Sequence, residues 1–517
     1  MPNPLMVPDD APCPENRTMA QGFEWYSPAD NHHWNRLAKA IPNLAALGVD
    51  SMWIPPAAKA AWPKGNGYDI YDLYDLGEFN QKGCTATKWG TKQELQHMVK
   101  TANAHGVRIL FDAVLNHKAS ADFVEPAVGR RVDQKDRTQI IGGPEEIEVW
   151  TGFNFPGRGN TYSGLRWNKD HFTGIDYDHK HKVKALYKFE GKEWAEDTAP
   201  ELGNYDYLMF ADIDHKHPEV RRDLFHWVEW LASQLKLGGL RLDAIKHYSA
   251  AFLRDFVRHI DQTVGPDWFL VGEYWEADSR ILAKYVEFMH HRISLFDVRL
   301  VQNFSRLSFP DDADLRTVFD ETLTLYKPLN SVTFVVNHDT QDGQSLETPI
   351  APWFIPLAYS LILLRANAGL PCVFYSDLYG SFGQHPKPDF SNFIPPISGG
   401  AVLPRMMQAR KLWAYGTQVD YFDDPRCVGF TRLGHPSRSG GDGLAVVMTN
   451  AWEYRTKSMC VGRRHAGERW TDVLRWCPGT VTIDAEGFGV FPVAHRSVSV
   501  WVNEAAHGRD FVESFVL

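Results

Sequence analysis

The sequence predicts an α/β protein: a (β/α)8 barrel carrying a small β-rich domain inserted after its third strand and an antiparallel β domain at its C-terminal end. Three observations carry this. Short β-branched or aromatic runs alternate with helical stretches along most of the 517 residues, the pattern of a parallel sheet covered by helices. The rhythm breaks for about 90 residues after the run ending at His117, far more than an ordinary strand-to-helix loop. After about Gly416 helical periodicity stops, and segments such as VGFTRL, GLAVVMTN and SVSVWV follow one another between Gly- and Pro-rich turns, as in antiparallel sheet.

Taken in order, a helical stretch from Trp34 to Leu47 precedes the strand run VDSMWIPP, and another from Lys92 to His105 precedes RILFDAVLNH. Amphipathic stretches at Val220–Leu237 and Ala250–Thr263 lie between the later runs. Those runs are GLRLDAIKH, WFLVGEYW, ISLFDV, SVTFVVNHD and PCVFYSDLYG. Seven or eight such units fit a closed barrel better than an open sheet. The expected division is barrel over 1–117, inserted domain over 118–206, barrel again over 207–415, β domain over 416–504 and a tail over 505–517.

Composition narrows the function. Apolar residues make up 44% and charged residues 23% of the chain, an ordinary globular balance. With 54 basic and 64 acidic residues the net charge is −10. That disfavours nucleic acid as a partner, since phosphate backbones call for a basic face. The longest charge-free apolar run, Trp353–Leu364, contains a proline and is too short to span a bilayer, so no membrane partner is expected. Eighteen tryptophans suit a core, and equally a cleft in which ring faces stack on sugars.

Catalytic groups of such barrels stand at the C-terminal ends of the strands. Four carboxylates do so here: Asp112, Asp243, Glu273 and Asp339. Each ends an apolar run, where a charge is costly unless paired or used. Arg241, two residues before Asp243, shares its side of the strand and would hold that carboxylate ionised. His117 and His338 offer neutral donors for hydroxyl groups. Paired carboxylates with such donors suit acid–base chemistry on a polyhydroxylated substrate.

The motifs DAVLNH (Asp112–His117), GLRLDAIKH (Gly239–His247), VGEYW (Val271–Trp275) and FVVNHD (Phe334–Asp339) together resemble the α-amylases of glycoside hydrolase family 13. The segments QGFEWY, WIPPAAKA, GYDIYDLYDLGEF, NFPGRGNTYS, GNYDYLMFADID and NHDTQDGQSLE are similar to the bacterial liquefying type and its fungal relatives. The likeness runs from about Thr18 to Val502.

The resemblance implies retaining endo-hydrolysis of α-1,4-glucan such as starch or glycogen. Asp243 would be the nucleophile, Glu273 the acid and then the base, and Asp339 the grip on the distorted sugar. Arg241 would orient Asp243. His117 and His338 would bond the sugar, Tyr68 would stack beneath it, and Lys246, His247 and Trp275 would face the leaving side, with Asp112 among the substrate contacts. It further implies one structural Ca²⁺ held by Asn116, Asp206, Asp212 and the carbonyl of His247, an oxygen-rich set suited to that ion.

Departures from the bacterial pattern set further expectations. Thr173, Ala195 and Lys216 stand where an adjoining Na⁺/Ca²⁺ cluster needs aspartates, so that cluster is expected to be absent. The Lys216 ammonium would take over some of its charge, and Asp214 would be structural. Glu193, Glu196 and Asp197 are alternative ligands. Arg426 and Asn450 stand where a third Ca²⁺ needs aspartates.

Rival readings within the family are a maltooligosaccharide-forming exo-enzyme and a glucan transferase, with Gly380–Gly400 a segment that would reshape the acceptor side. Outside it stand a non-catalytic barrel and a zinc hydrolase. The pairs His32–His33, His179/His181, His215/His217 and His290–His291 read as surface histidines rather than metal ligands. Trp452, Trp470 and Trp476 are candidates for exposed sugar contacts, more simply read as packing. Six cysteines without a CxxC pattern read as mostly free thiols, with Cys460 and Cys477 a possible pair. The first residues show no basic start and no apolar core, so a cytoplasmic chain is expected over a secreted one; separately, a monomer is expected. The sequons at Asn16 and Asn303 would matter only on secretion.

Overall fold

The computed structural model describes residues 6–381, 383, 384 and 402–514. Eight parallel strands close a barrel. They are β1 (Met19–Gln21), β2 (Ser51–Trp53), β3 (Arg108–Ala113), β4 (Gly239–Leu242), β5 (Phe269–Gly272), β6 (Ser294–Phe296), β7 (Ser331–Phe334) and β8 (Leu370–Phe374). They follow one another around the ring in chain order. In β4 all four residues are buried, as expected of parallel strands covered on both faces.

The helices between them start where the sequence provides caps. Thr91 and Glu94 exchange backbone N–H bonds, at 2.8 Å and 3.3 Å, and open the helix Lys92–Ala104. Pro218 opens Pro218–Gln234 at a position where a missing N–H has no consequence. Ser249 caps Ala250–Thr263 by accepting from Phe252 N at 3.1 Å. The apolar run noted above becomes the helix Ile355–Leu364, with all ten residues buried. A helix apolar all round belongs in a core. No described helix is long and apolar enough to cross a membrane.

The chain forms two compact units. One comprises residues 28–42 and 53–275 and includes β3, β4, β5 and the inserted sheet. That sheet has six antiparallel strands in the order His117–Lys118, Ala211–Ile213, Phe172–Asp178, Val183–Phe189, Phe123–Val132, Ile140–Gly152. Ala211–Ile213 lies past residue 206 because it returns to pair with His117–Lys118, Asp212 opposite His117. Val132, Leu186, Trp194 and Tyr207 fill a small core of their own.

The other unit comprises residues 1–27, 43–52 and 276–517. Its C-terminal part pairs six strands in the order Gln418–Asp424, Cys427–Arg432, Leu444–Thr449, Ser497–Asn503, Arg469–Asp472, Val481–Thr482. Arg455–Cys460 and Phe488–Val493 form a second, two-stranded sheet. Val447, Met459, Trp470, Phe491 and Trp501 from both sheets share one core. Trp470 is therefore a core residue and not a sugar contact; Trp452 and Trp476 are exposed. The expected tail contains a helix, Arg509–Ser514, in which Val512 is buried and Arg509 Nη2 donates to Thr471 Oγ1 at 2.7 Å.

All six cysteines are unpaired, Cys460 and Cys477 included. Both sequon amides are engaged. Asn303 is buried and donates to Val318 O and Asp320 O, and Asn16 donates to Arg410 O and Ala414 O.

Candidate active site

The ends of β3, β4 and β5 bring three carboxyls onto one guanidinium. In-register pairing sets Arg241 beside Asp112 on one side and Val271 on the other, two residues short of Glu273. Arg241 Nη1 lies 2.8 Å from Asp112 Oδ1 and 2.5 Å from Asp243 Oδ1, and Nη2 lies 3.0 Å from Glu273 Oε2. The planar fork serves all three, which a single ammonium would not.

Two residues complete the clamp. Trp53 Nε1 and Tyr68 OH each donate to Asp112 Oδ2 at 2.8 Å. The guanidinium lies over both rings, 4.9 Å from the Trp53 centroid and 5.6 Å from that of Tyr68. Both oxygens of the buried Asp112 are thus engaged, so it braces the site from within rather than facing a substrate. Trp53 is absent from the sequence-based candidates. Its one signal is its place at the end of the VDSMWIPP run.

Glu273 is fixed a second time. Ala244 N donates to Glu273 Oε2 at 3.0 Å, and Ala244 has φ 50 and ψ 37. This left-handed conformation is unfavourable for a residue with a Cβ and persists where its surroundings enforce it. Here it turns the peptide after the nucleophile candidate toward the neighbouring carboxylate.

Burial dominates the electrostatics. It works against the Arg241 charge, but the surrounding carboxyls outweigh it and hold the guanidinium protonated. It pushes Asp112 upward against Arg241. It pushes Asp243 up to about 8, Arg241 opposing while Glu273 and Asp112 add to the rise. Burial thus favours the protonated form of both Asp112 and Asp243, and Arg241 opposes it at each.

The other candidates fall into two groups. His117 is buried, Nε2 bonds Tyr68 O at 2.7 Å, and burial pushes it down to about 4, so the ring is neutral. Lys246 Nζ donates to Glu201 Oε1 and to Trp275 O, both at 2.9 Å. His247 Nδ1 bonds Tyr205 O at 2.9 Å, and burial pushes it down to about 3. Glu201 and Tyr205 thus hold the cation and ring that the sequence alone leaves facing the leaving side.

In the other unit, Asn337 Oδ1 accepts from Asp339 N and Thr340 N at 2.9 and 2.8 Å, a side-chain turn that shapes the end of the β7 segment. His338 Nε2 lies 3.3 Å from Asp339 Oδ2, and its ring stacks on Trp25, 6.1 Å between centroids.

The calcium candidates are tested by what surrounds them. Asn116 Oδ1 is buried without a hydrogen-bond partner, an unmet acceptor of the kind a cation satisfies. Burial raises Asp206 to about 7, and burial together with Asp206 raises Asp212 well above its usual range. Two buried, mutually repelling carboxyls beside an orphan amide oxygen fit a hard divalent ion. The Tyr205–His247 contact draws the His247 backbone to the segment carrying Asp206.

Around this cluster, Lys216 is not the ion-pair partner of Asp214. Lys192 Nζ takes that place at 2.7 Å, and Lys216 acts on Asp206 through its charge alone. Glu193 pairs with Lys188, and Asp197 accepts from Ala251 N. Thr173 Oγ1 bonds Asp212, and Ala195 N bonds Asp206 at 2.9 Å. Asn450 Nδ2 donates to Ala313 O at 2.7 Å.

His33 and His215 are buried and are not surface residues as expected. His171, His217 and Glu219 bring their ligand atoms within 4.8 Å of one another. Yet His171 Nδ1 accepts from Asn168 N, and His217 Nδ1 accepts from Glu219 N. The protons therefore sit on the Nε2 atoms, and His171 Nε2 donates to Glu219 at 3.2 Å. Donor tautomers make this a hydrogen-bonded cluster rather than a metal set. Gly380–Gly400 lies mostly outside the described residues.

Comparison with known proteins decides the family. A model of the alpha-amylase catalytic domain matches residues 33–392, and one of the alpha-amylase C-terminal domain matches residues 444–502. The chain belongs to the alpha-amylase family. It is 44% identical to an alpha-amylase of Bacillus licheniformis, covering 94% of this chain and 93% of that one. It is 42% identical to a glucan 1,4-alpha-maltohexaosidase of Bacillus sp. strain 707, covering 95% and 93%. It is 37% identical to a cytoplasmic alpha-amylase of Escherichia coli, covering 95% and 99%.

Proposed function

We propose that this chain is a retaining endo-amylase that cuts α-1,4-glucosidic bonds within starch- or glycogen-type glucans. The observation that carries it is Arg241 holding Asp243 and Glu273 on the two terminal nitrogens of one fork. Two carboxyls sharing one guanidinium suit a nucleophile and its acid, the pair that a retaining enzyme needs about 5–5.5 Å apart.

In the first step Asp243 attacks the anomeric carbon while Glu273 gives its proton to the departing glycosidic oxygen. The bond to the leaving sugar breaks and a glycosyl ester forms. In the second step Glu273 takes a proton from water, water attacks the same carbon, and the ester releases Asp243 with net retention. Asp339 and His338 bind the hydroxyls of the sugar being cleaved, and Tyr68 stacks under it. Lys246, His247 and Trp275 border the leaving side. Asp112 and His117 act through their neighbours: Asp112 through Arg241, His117 through the Tyr68 backbone.

One Ca²⁺, held by Asn116, Asp206, Asp212 and the His247 carbonyl, has a structural part in this reading. These residues come from the segment after β3, the inserted domain and the segment after β4, and an ion held by them would neutralise the paired carboxyls. The Lys192–Asp214 ion pair supports a site without a second cation beside it. The chain is read as a cytoplasmic monomer. Likeness to the cytoplasmic enzyme of E. coli, six unpaired thiols and the engaged sequon amides support the compartment.

Proton NMR of a fresh starch digest, beside Asp243→Asn, tests the proposal. Short α-anomeric oligosaccharides, formed early and by the parent chain alone, are expected. β-Anomers overturn retention, and products from Asp243→Asn overturn the nucleophile. A second reading, preferred release of maltohexaose, is favoured by the 42% identity to the maltohexaosidase. The same digest decides it, by one dominant product length in place of a ladder.

A further inference from the structure

The C-terminal domain exposes large aromatic residues on one turn. Trp452 and Tyr454 join the strands Leu444–Thr449 and Arg455–Cys460, and they are 60% and 57% exposed. Single exposed apolar residues are common, but a large one held rigid in the exposed position is not. Trp452 is held. The Arg496 guanidinium lies 4.3 Å from the Trp452 ring centroid and 4.3 Å from that of Trp353. The cation is layered between two indoles.

The two layers beneath Trp452 are anchored. Trp353 Nε1 donates to Ser308 O at 3.1 Å. Arg496 Nη1 pairs with Asp311 at 3.3 Å, and its backbone N donates to Ala451 O at 2.9 Å. Arg496 takes φ 45, a left-handed conformation that a non-glycine residue keeps where the surroundings require it. One face of Trp452 is covered by the cation, and most of the ring is still open to solvent.

We propose that Trp452, extended by Tyr454, is a glucan-binding platform separate from the catalytic cleft, on which a chain of the polymeric substrate stacks. The proposal rests on the reading of the chain as an amylase. The apolar face of a pyranose ring matches an indole face, and an indole already ordered by Arg496 gives up little entropy on binding. Asp311, Glu453 and Arg455 at the rim have exposed polar heads for the sugar hydroxyls. A protein partner would need about 800 Å² of complementary surface, far more than two rings. A polysaccharide needs a few stacked residues, repeated along its length.

The test is native electrophoresis of the full chain through gels containing glycogen, in a Glu273→Gln background so that the gel is not digested. Trp452→Ala should run less retarded, with an apparent dissociation constant raised about fivefold, and Trp452→Phe should recover part of the retardation. With Glu273 intact, Trp452→Ala should keep parental kcat/KM on soluble maltoheptaose, which also shows that it is folded. It should lose turnover on granular starch. Equal retardation of Trp452→Ala and its parent, with turnover of maltoheptaose intact, overturns the platform alone. A parent chain inert toward maltoheptaose and unretarded by glycogen overturns the amylase reading and the platform with it.

Discussion

Arg241 Nη1 lies 2.5 Å from Asp243 Oδ1, and the same guanidinium reaches Asp112 and Glu273. Arg241→Lys keeps a positive charge but loses the fork. It should lower kcat on maltoheptaose by about 10²-fold or more with little change in KM, since the loss falls on positioning of the acid–base pair. Arg241→Ala leaves three buried carboxyls without a cation and should cost about 3–5 kcal/mol of stability. Steady-state kinetics and urea unfolding measure the two. A lysine variant with parental kcat would show that the fork is dispensable.

Ala244 is held at φ 50 while its N–H serves Glu273. A β-branched side chain tolerates that conformation poorly. Ala244→Val should destabilise the protein by about 1–3 kcal/mol and lower kcat, whereas Ala244→Gly should fold at least as stably as the parent. Denaturant midpoints of the two variants check this; equal midpoints would place the strain elsewhere.

Chelation should lower the melting temperature before it touches intrinsic chemistry. A ligand at one hundred times its dissociation constant stabilises by about 2.7 kcal/mol, and that increment should vanish with EDTA and return with Ca²⁺. Asn116→Ala should melt at the chelated parent's temperature and respond weakly to added Ca²⁺. Scanning calorimetry of both chains with and without the ion is the measurement, and a parent indifferent to EDTA would remove calcium from this site.

Asp377 gives a pH test with a defined sign. Burial raises it from 3.8 to about 7, with the Tyr359 hydroxyl bond opposing. The folded state therefore binds a proton that the unfolded state has released between these values. The associated stability is full below the unfolded value and is lost as pH rises through about 7, at about 1.4 kcal/mol per pH unit. Asp377→Asn should remove that slope. The stability of the parent relative to the variant should fall from pH 5 to 7 and level off above it, in urea titrations at fixed temperature. Parallel curves would mean that Asp377 is ionised throughout.

Much of this was legible in the sequence for a plain reason. A barrel strand is a short apolar run, so a carboxylate at its end stands out against a background that should not contain it. Asp112, Asp243, Glu273 and Asp339 were visible in that way, as was Arg241 by its spacing of two. The helices Lys92–Ala104 and Ala250–Thr263 were readable because capping residues and apolar period are local. Partners supplied from afar were not. Trp53 meets Asp112 across 59 residues, and Lys192 meets Asp214 across 22; no local pattern encodes either. Trp470 and Trp452 look alike as letters, yet one is core and the other exposed. His215 sits in a polar stretch of sequence but is buried against Tyr248 and Phe252.

The sequence by itself determined which chemistry is available: the order of strands and helices, the carboxylates at the strand ends, the family, and the missing aspartates beside the calcium candidates. These follow from period, spacing and residue type, all of which are local. The tertiary structure decided what each group is for. It made Asp112 a brace instead of a ligand, left Asn116 Oδ1 unpaired beside two raised carboxyls, gave Asp214 to Lys192, and stacked Arg496 between two tryptophans. Those outcomes depend on desolvation and on contacts between residues distant in the chain, and both come into being when the chain closes on itself.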